Sequence, residues 1–214
     1  MSLNLPIRDC ALCPRLVEFR VKNRELYPAF HNAPVDSFGP SDARLLIVGL
    51  APGLKGANRT GRPFTGDYAG DLLYPTLSVF EFAAGEYGAV PDDGLQMRDC
   101  RITNAVRCVP PENKPIGTEI SACRPFLIDE IAEMKNLQII LALGSIAHNS
   151  ILRTLGHKQS AFKFSHAAEH DLSNGPLLVD SYHCSRYNTN TGRLTPEMFH
   201  DVFRLIRRRL DLNF

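Results

Sequence analysis

The chain has 214 residues, of which 44% are hydrophobic and 22% are charged, and its formal net charge is +1. These values are ordinary for a globular protein, and no apolar run is long enough to span a bilayer. We therefore expect a single domain over residues 1–214 and no membrane partner. The N-terminal residues lack the charged-then-apolar order of a secretory signal, which predicts a cytoplasmic protein.

Four short apolar runs predict β-strands, over residues 43–50, 101–106, 136–143 and 177–180. Helical patterns lie between and after them, over residues 70–84, 117–134, 145–155 and 195–210. Strands that alternate with helices predict an α/β fold with a parallel sheet covered on both faces. Such sheets bind ligands beyond the carboxyl ends of their strands. We therefore expect the chemistry just after Leu50, at or after Asn104, and after Asp180.

Four of the six cysteines are spaced as metal ligands are. Cys10 and Cys13 form a C-x2-C pair, whereas a proline-rich loop separates Cys108 from Cys123. In a chain without an export signal, such cysteines favour a metal site or catalysis over disulfides. Zinc and a 4Fe–4S cluster are both chemically allowed. The wide second pair favours the cluster, and ordinary burial of Cys108 and Cys123 is the alternative.

A glycine-rich loop follows the first strand, over residues 49–67. Small residues such as Gly49 and Ala51 let a ligand approach the backbone, and successive N–H groups can bind an anion. The loop is not a Walker A phosphate loop, because Arg62 and Pro63 stand where Lys and then Ser or Thr are needed. A long loop of this kind is usually functional, and a flexible connection is the alternative.

Two further candidate residues follow later strands. The amide of Asn104 offers a donor and an acceptor side by side, so it can pair with a ligand edge that presents the complementary groups. An Asn at a strand end is also a common turn former. His183 lies just past the fourth strand, in a polar loop with Arg186 and Arg193. This place makes it a candidate catalytic group, with a structural histidine as the alternative.

Together these segments resemble the uracil-DNA glycosylase superfamily, and in particular its iron–sulfur family 5 branch, which is related to family 4. The resemblance is carried by GLAPG, ANRTGRPFTGD, ITNAVRC with the proline-rich loop after it, and NTNTGRLT. It implies a three-layer α/β/α domain with a central four-stranded parallel sheet. It also implies an enzyme that flips uracil, or a related deaminated base, out of DNA and hydrolyses its N-glycosidic bond to leave an abasic site.

The resemblance implies a role for each candidate residue. Phe64 would stack on the base, Asn104 would bind its edge, and His183 would donate a hydrogen bond to O2 of the departing base. Gly49 and Ala51 would line the substrate pocket. The 4Fe–4S cluster would be held by four cysteines: Cys10, Cys13, Cys108 and Cys123.

The expected partner is double-stranded DNA that contains uracil, with single-stranded DNA as a second candidate, and we expect a monomer. Its phosphates would be bound by arginines in the loops at one edge of the sheet: Arg59, Arg62, Arg186 and Arg193. Such a local basic edge is compatible with a net charge near zero.

Two positions depart from the family pattern. Cys184 stands where the family commonly has Pro after its histidine, which loosens the loop that aims His183. Leu50 stands where relatives in other branches place a carboxylate or an amide, although a hydrophobic residue is typical of family 5. Because Leu cannot activate water, we predict that Asp67 accepts a proton from water or stabilises the sugar cation. Capping of the following helix is the alternative role for Asp67.

Two other functions fit the same features. One is a non-catalytic protein that binds damaged DNA and has a metal-stabilised fold. The other is a relative that traps its product covalently through the loop of His183. Release of free base from a uracil-containing duplex distinguishes the glycosylase from the binding protein. A protein–DNA adduct that survives a denaturing gel would reveal covalent trapping.

Overall fold

The computed structural model describes residues 5–173 and 175–211. Its strands are β1 (Leu45–Gly49), β2 (Ala83–Ala84), β3 (Gln96–Met97), β4 (Cys100–Asn104), β5 (Ile139–Leu143), β6 (Glu169–His170) and β7 (Leu177–Ser181). The central sheet has the order β4-β1-β5-β7-β6, and its first four strands are parallel. The predicted four-stranded parallel sheet is confirmed. The prediction missed the short edge strand β6, which is antiparallel to β7, and the separate β2–β3 pair.

The helices of the described ranges are α1 (Pro14–Leu26), α2 (Ala57–Thr60), α3 (Tyr68–Val79), α4 (Gly117–Glu133), α5 (Ser145–Thr154), α6 (Arg186–Asn190) and α7 (Pro196–Asp211). The four predicted helices correspond to α3, α4, α5 and α7. The prediction for α3 was too long, because residues 83 and 84 pair with β3 instead. The prediction also missed α1, α2 and α6. None of the helices described is both long and apolar enough to cross a membrane.

Alternate residues of β1 face opposite layers of the fold. Leu45 and Ile47 belong to a core cluster that includes residues of α3 and α7. Leu46 and Val48 belong to a second cluster, with residues of α4 and α5. β1 is buried along its whole length, as expected for a strand covered on both faces. The arrangement is therefore three-layered, α/β/α.

The register of the sheet brings the carboxyl ends of its strands together. Gly49 at the end of β1 pairs with Asn104 at the end of β4, and Leu143 of β5 pairs with Ser181 of β7. Because these strands are parallel, the loops that follow them all begin at the same edge of the sheet. The three predicted site segments start there.

Candidate active site

A narrow pocket of about 40 Å³ lies at this edge of the sheet. Four predicted site side chains line it: Phe64, Asp67, Asn104 and His183. A wider cavity of about 330 Å³ shares Asp67 and His183 with the pocket and is also lined by Leu50, Tyr68 and Arg186. A narrow polar end beside a wider mouth suits a flipped nucleotide, whose base enters ahead of its sugar and phosphate.

Gly49 lets the side chains of Phe64 and Asn104 approach each other at the end of the pocket. A Cβ atom at position 49 would lie 2.4 Å from Oδ1 of Asn104 and 2.5 Å from Cζ of Phe64. Contacts that short would force both side chains to move. Ala51 also lines the pocket. The small residues of the first loop thus leave room for the two side chains predicted to bind the base.

Phe64 is held in an unusual backbone conformation. Its φ angle is +52°, a left-handed value that costs a residue other than glycine about 1–3 kcal/mol. Its carbonyl oxygen accepts a hydrogen bond of 3.3 Å from the hydroxyl of Tyr87. Its ring is 6% exposed and lies 6.0 Å from the ring of His183, at an interplanar angle of 30°. The wall of the pocket therefore contains a strained backbone position, and such positions cluster at functional sites.

Arg62 fixes the turn that carries Phe64. It is 5% exposed, and its two terminal nitrogens donate to the carboxylate of Asp93 at 2.7 and 2.6 Å. Its Nε donates to Oγ1 of Thr65 at 2.7 Å. Three aromatic rings lie 5.0–5.7 Å from its guanidinium carbon: Phe38, Tyr74 and Tyr87. This geometry contradicts the expectation that Arg62 binds phosphate, because its charge is buried and already paired.

His183 follows β7 and lines both the pocket and the wider cavity. Burial lowers the pKa of its half-buried side chain to about 4, so the imidazole is neutral at pH 7. Its backbone carbonyl accepts a hydrogen bond of 2.8 Å from the side-chain amide of Asn188. This bond holds the loop in place, and a neutral ring can donate one N–H to a ligand.

Cys184, which directly follows His183, packs in the hydrophobic core. Its side chain is fully buried, in the same core cluster as Leu194 and Phe199. Burial also raises the pKa of its thiol well above the ordinary value. The loop behind His183 is therefore anchored by packing instead of by a proline ring, and Cys184 is an inert core residue.

Asp67 caps α3 and also lines the pocket. Its Oδ1 accepts a hydrogen bond of 3.3 Å from the backbone N–H of Gly70. Its Oδ2 lies over Gly53 and Gly56, at 3.1 and 2.2 Å from where their Cβ atoms would be. Burial raises the pKa of Asp67, although the N–H groups at the start of α3 partly oppose this shift. The two roles considered for Asp67 are therefore compatible, since one oxygen caps the helix and the other faces the glycine loop.

The other three arginines predicted to bind phosphate are exposed: Arg59, Arg186 and Arg193. The guanidinium of Arg186 lies 5.3 Å from the ring centre of Tyr68, at the wider cavity. That of Arg193 lies 4.6 Å from the ring centre of Tyr182, beside a further pocket of about 220 Å³ that His183 also lines. These charges are accessible at the edge of the sheet where the site lies.

The four predicted ligand cysteines line one cavity: Cys10, Cys13, Cys108 and Cys123. Burial raises the pKa of Cys13 to about 11 and that of Cys108 to about 12. Among the described side chains, no three of these sulfur atoms lie within 4.8 Å of one another. Thiolates around one zinc ion, each at about 2.3 Å, would lie about 3.8 Å apart. The donor set is therefore wider than a single tetrahedral ion requires.

A second group of potential metal ligands lies beside β7. Its members are His148, His170 and Asp180, whose ligand atoms lie within 4.8 Å of one another. Over residues 5–173 and 175–211, no other group of three potential ligands is as compact. Asp180 accepts hydrogen bonds from His148 at 2.7 Å and from His170 at 2.8 Å. The other nitrogen of His148 faces the carbonyl of Phe162 at 3.0 Å.

Both ring nitrogens of His148 therefore face acceptors, an arrangement that favours the doubly protonated ring. Burial opposes this charge, but the hydrogen bond and the negative charge of Asp180 outweigh it and raise the pKa of His148. These hydrogen bonds join α5 and β6 to β7 through Asp180, three residues before His183.

The sequence pattern did not reveal three residues near these sites. Tyr68 and Asn113 line the wider cavity, and Arg20 lines the cysteine cavity. Asn113 has a φ of +56°. Because Asn adopts positive φ angles more readily than most residues, its residue type was the available sequence signal for this conformation. Nothing in the sequence marks Arg20, because α1 buries polar residues as well as Leu16 and has no apolar stripe.

Comparison with known proteins gives consistent matches. Residues 36–207 match the family model described as the uracil DNA glycosylase superfamily. A type-5 uracil-DNA glycosylase of Thermus thermophilus is 43% identical over 204 residues, which cover 93% of each chain. One of Pyrobaculum aerophilum is 38% identical over 92% of this chain and 87% of the relative. A type-4 uracil-DNA glycosylase of the same organism is 34% identical over 71% of this chain and 64% of the relative.

Proposed function

The chain belongs to the uracil-DNA glycosylase superfamily, and on that basis we propose that it hydrolyses the N-glycosidic bond of uracil in DNA and leaves an abasic site. The observation that carries this function is the single pocket lined by Phe64, Asn104 and His183. Their apolar ring, amide and neutral imidazole can stack on uracil, pair with its edge and stabilise its departing anion. Other deaminated bases that fit the same pocket are further candidate substrates.

Recognition of the base depends on Phe64 and Asn104. Flipping a nucleotide costs a few kcal/mol, and least at a mismatch such as uracil opposite guanine. Stacking on Phe64 recovers about 1–3 kcal/mol of that cost. Asn104 is 3% exposed and lies at the end of β4, opposite Gly49 of β1, so burial restricts the movement of its amide. Its oxygen can accept from N3–H of uracil while its nitrogen donates to O4.

His183 stabilises the leaving group. When the bond between C1′ and N1 breaks, its electron pair moves onto the base, and negative charge develops at O2. The neutral imidazole of His183 donates an N–H to that oxygen, and the bond strengthens as the charge grows. One such preorganised donor contributes about 3–4 kcal/mol to lowering the barrier.

Asp67 assists the water that attacks C1′. The water oxygen forms the new bond to C1′, and one of its protons passes to a carboxylate oxygen of Asp67. The raised pKa of Asp67 makes it a better base than an exposed Asp. Its negative charge, together with the DNA phosphates, also stabilises the positive sugar. General-base assistance of this kind contributes about 10²–10⁴-fold.

We propose that the partner is duplex DNA, bound by one copy of the chain. Arg59, Arg186 and Arg193 supply accessible positive charge near the pocket. Single-stranded DNA is a second candidate substrate, because it needs no unpairing before the base enters the pocket. Since the relatives come from bacteria and archaea, we propose that the enzyme acts on the nucleoid DNA of such a cell.

We further propose that the four cysteines hold a 4Fe–4S cluster. The donor set fits, because four thiol groups line one cavity and their sulfur atoms are spread too widely for a single zinc ion. No residue lines both this cavity and the base pocket. The cluster would therefore cross-link the segment before α1 to the segment from Cys108 to α4. Anaerobically purified protein should be brown and contain about four iron and four sulfide ions per chain. A colourless protein with stoichiometric zinc would contradict this.

The function is tested by a single-turnover assay on duplexes that carry uracil, hypoxanthine or hydroxymethyluracil. Wild-type protein should release free uracil, and His183→Ala should lower the rate by about 10²–10³-fold with little change in DNA affinity. His200→Ala is the matched control, because His200 lies on α7, packs against Phe80 and does not line the pocket. Uracil-DNA binding without base release would instead support a damage-binding protein. An adduct stable in a denaturing gel would support covalent trapping.

A further inference from the structure

Arg20 of α1 is a buried cation in the wall of the cysteine cavity. Its side chain is 3% exposed. One terminal nitrogen donates to the carbonyl of Cys10 at 2.8 Å, and the other donates to Sγ of Cys108 at 3.6 Å. Its Nε is buried and makes no hydrogen bond in the described structure. Arg20 therefore contacts two of the four predicted ligands directly, Cys10 and Cys108.

Among the described residues, Arg20 forms no ion pair with a carboxylate, although the hydrogen bond from Arg24 and, to a smaller extent, the charge of Arg20 lower the pKa of the exposed Asp9. The acid nearest in sequence, Asp9, is exposed and forms its ion pair with Arg24, at 2.7 Å. Other buried arginines of this fold are paired, as Arg62 is with Asp93. Burial of an unpaired charge costs several kcal/mol, so such charges are normally matched by an opposite one. What faces Arg20 instead is a set of four thiol groups.

We propose that Arg20 is the counter-ion of the iron–sulfur cluster, a conclusion that rests on the cluster proposed above. A cubane cluster with four thiolate ligands carries a net negative charge in each of its common oxidation states. Arg20 balances that charge, and its hydrogen bond to Sγ of Cys108 withdraws electron density from a ligand. By binding the carbonyl of Cys10 as well, it holds the N-terminal ligand pair against the rest of the site.

Two consequences follow for the cluster. A nearby positive charge and a hydrogen bond to a ligand sulfur stabilise the reduced, more negative cluster, so they raise its reduction potential. Loss of a group that orients a metal ligand typically lowers metal affinity by about 10–100-fold. Arg20 should therefore affect both the potential and the retention of iron, while it lies outside the base pocket.

The test compares the full-length wild type with Arg20→Met, Arg20→Lys and Lys22→Met. Met keeps most of the volume and removes the charge, whereas Lys keeps the charge and loses the paired hydrogen bonds. Lys22 is exposed on the same helix, so Lys22→Met removes an equal charge without touching the cavity. The readouts are iron per chain, the rate of iron release to a chelator, and the midpoint potential from a spectroscopic titration with a chemical reductant.

Arg20→Met should release iron about 10–100-fold faster than wild type and have a more negative potential. Arg20→Lys should keep a near-normal potential and release iron at an intermediate rate, and Lys22→Met should match wild type. If Arg20→Met does not retain iron long enough for a titration, the rate at which Arg20→Lys releases iron to the chelator tests the inference instead. A loaded Arg20→Met with wild-type potential and chelation rate, or an Arg20→Lys that releases iron as fast as Arg20→Met, would overturn this inference alone. Wild-type protein without iron would overturn the cluster as well.

Discussion

Gly49→Ala should damage base binding while leaving the fold intact. The added methyl group would lie 2.4 Å from Oδ1 of Asn104 and 2.5 Å from Cζ of Phe64. Ordinary contacts of this kind are 3.4 Å or longer, so each side chain would have to move by about 1 Å. Overpacking of this kind costs about 1–3 kcal/mol. Because the two displaced groups are those proposed to stack on and pair with uracil, most of this cost should be a loss of catalysis.

At about 1.4 kcal/mol for each factor of ten, the single-turnover rate at subsaturating enzyme should fall by about 5–150-fold. Thermal unfolding should be monitored in parallel. Gly117→Ala is the matched control, since a Cβ at the start of α4 meets nothing within 4 Å. If Gly49→Ala retains a rate within twofold of Gly117→Ala, the close approach of Phe64 and Asn104 at the pocket is not needed for uracil excision.

Four other outcomes can be measured directly. Asp67→Asn retains a side chain that can cap α3 but cannot take a proton from water. A single-turnover rate lower by about 10²–10⁴-fold with an unchanged Tm would support Asp67 as the general base, and a change of only a few-fold would exclude that role. Arg186→Met should lower the log–log salt slope of duplex binding by about one unit. Arg62→Met removes the ion-pair partner of Asp93, which keeps hydrogen bonds from the backbone N–H groups of Gly88 and Leu95, and it should lower the free energy of unfolding by up to about 3–5 kcal/mol without changing that slope. Burial lowers the pKa of His183 to about 4 from an ordinary 6.5. As the pH falls from 6.5 to 4, His183 therefore becomes protonated in the unfolded chain but stays neutral in the folded protein, which favours unfolding. Wild-type stability should therefore decline over that range more steeply than the stability of His183→Asn, as urea titrations at several pH values can measure.

The sheet could be predicted from the sequence because its strands are covered on both faces. β1 and β5 are buried at every position, and such strands appear as continuous apolar runs without alternation. The elements that were missed lack this signal. β6 is two residues long, and its pairing with β7 depends on contacts made only after the sheet forms. α1 buries Arg20 and Asn23, so hydrophobic periodicity could not mark it as a helix.

The candidate site was predicted through the positions of strand ends and through the family resemblance, and Arg62 shows where that reasoning fails. Arg59 and Arg62 stand three residues apart in one polar loop and look equivalent in the sequence. The structure separates them because Asp93, 31 residues away, pairs with Arg62 and buries it, whereas Arg59 is exposed and donates to the carbonyl of Lys55. Whether an arginine binds phosphate or holds a turn depends on such distant partners.

The same burial sets the protonation states of both groups proposed for catalysis. Removal of water disfavours the charged form of any side chain, so it lowers the pKa of His183 and raises that of Asp67. At neutral pH this leaves a neutral imidazole and a more basic carboxylate in the pocket where we propose that the base and its sugar bind. We expect Leu50, which lines the wider cavity, to add to this effect, because its apolar side chain offers no hydrogen bond to water at the mouth of the site. A residue that cannot orient water can therefore still favour hydrolysis, since it strengthens the electrostatic effect of the two groups that act on the reacting atoms.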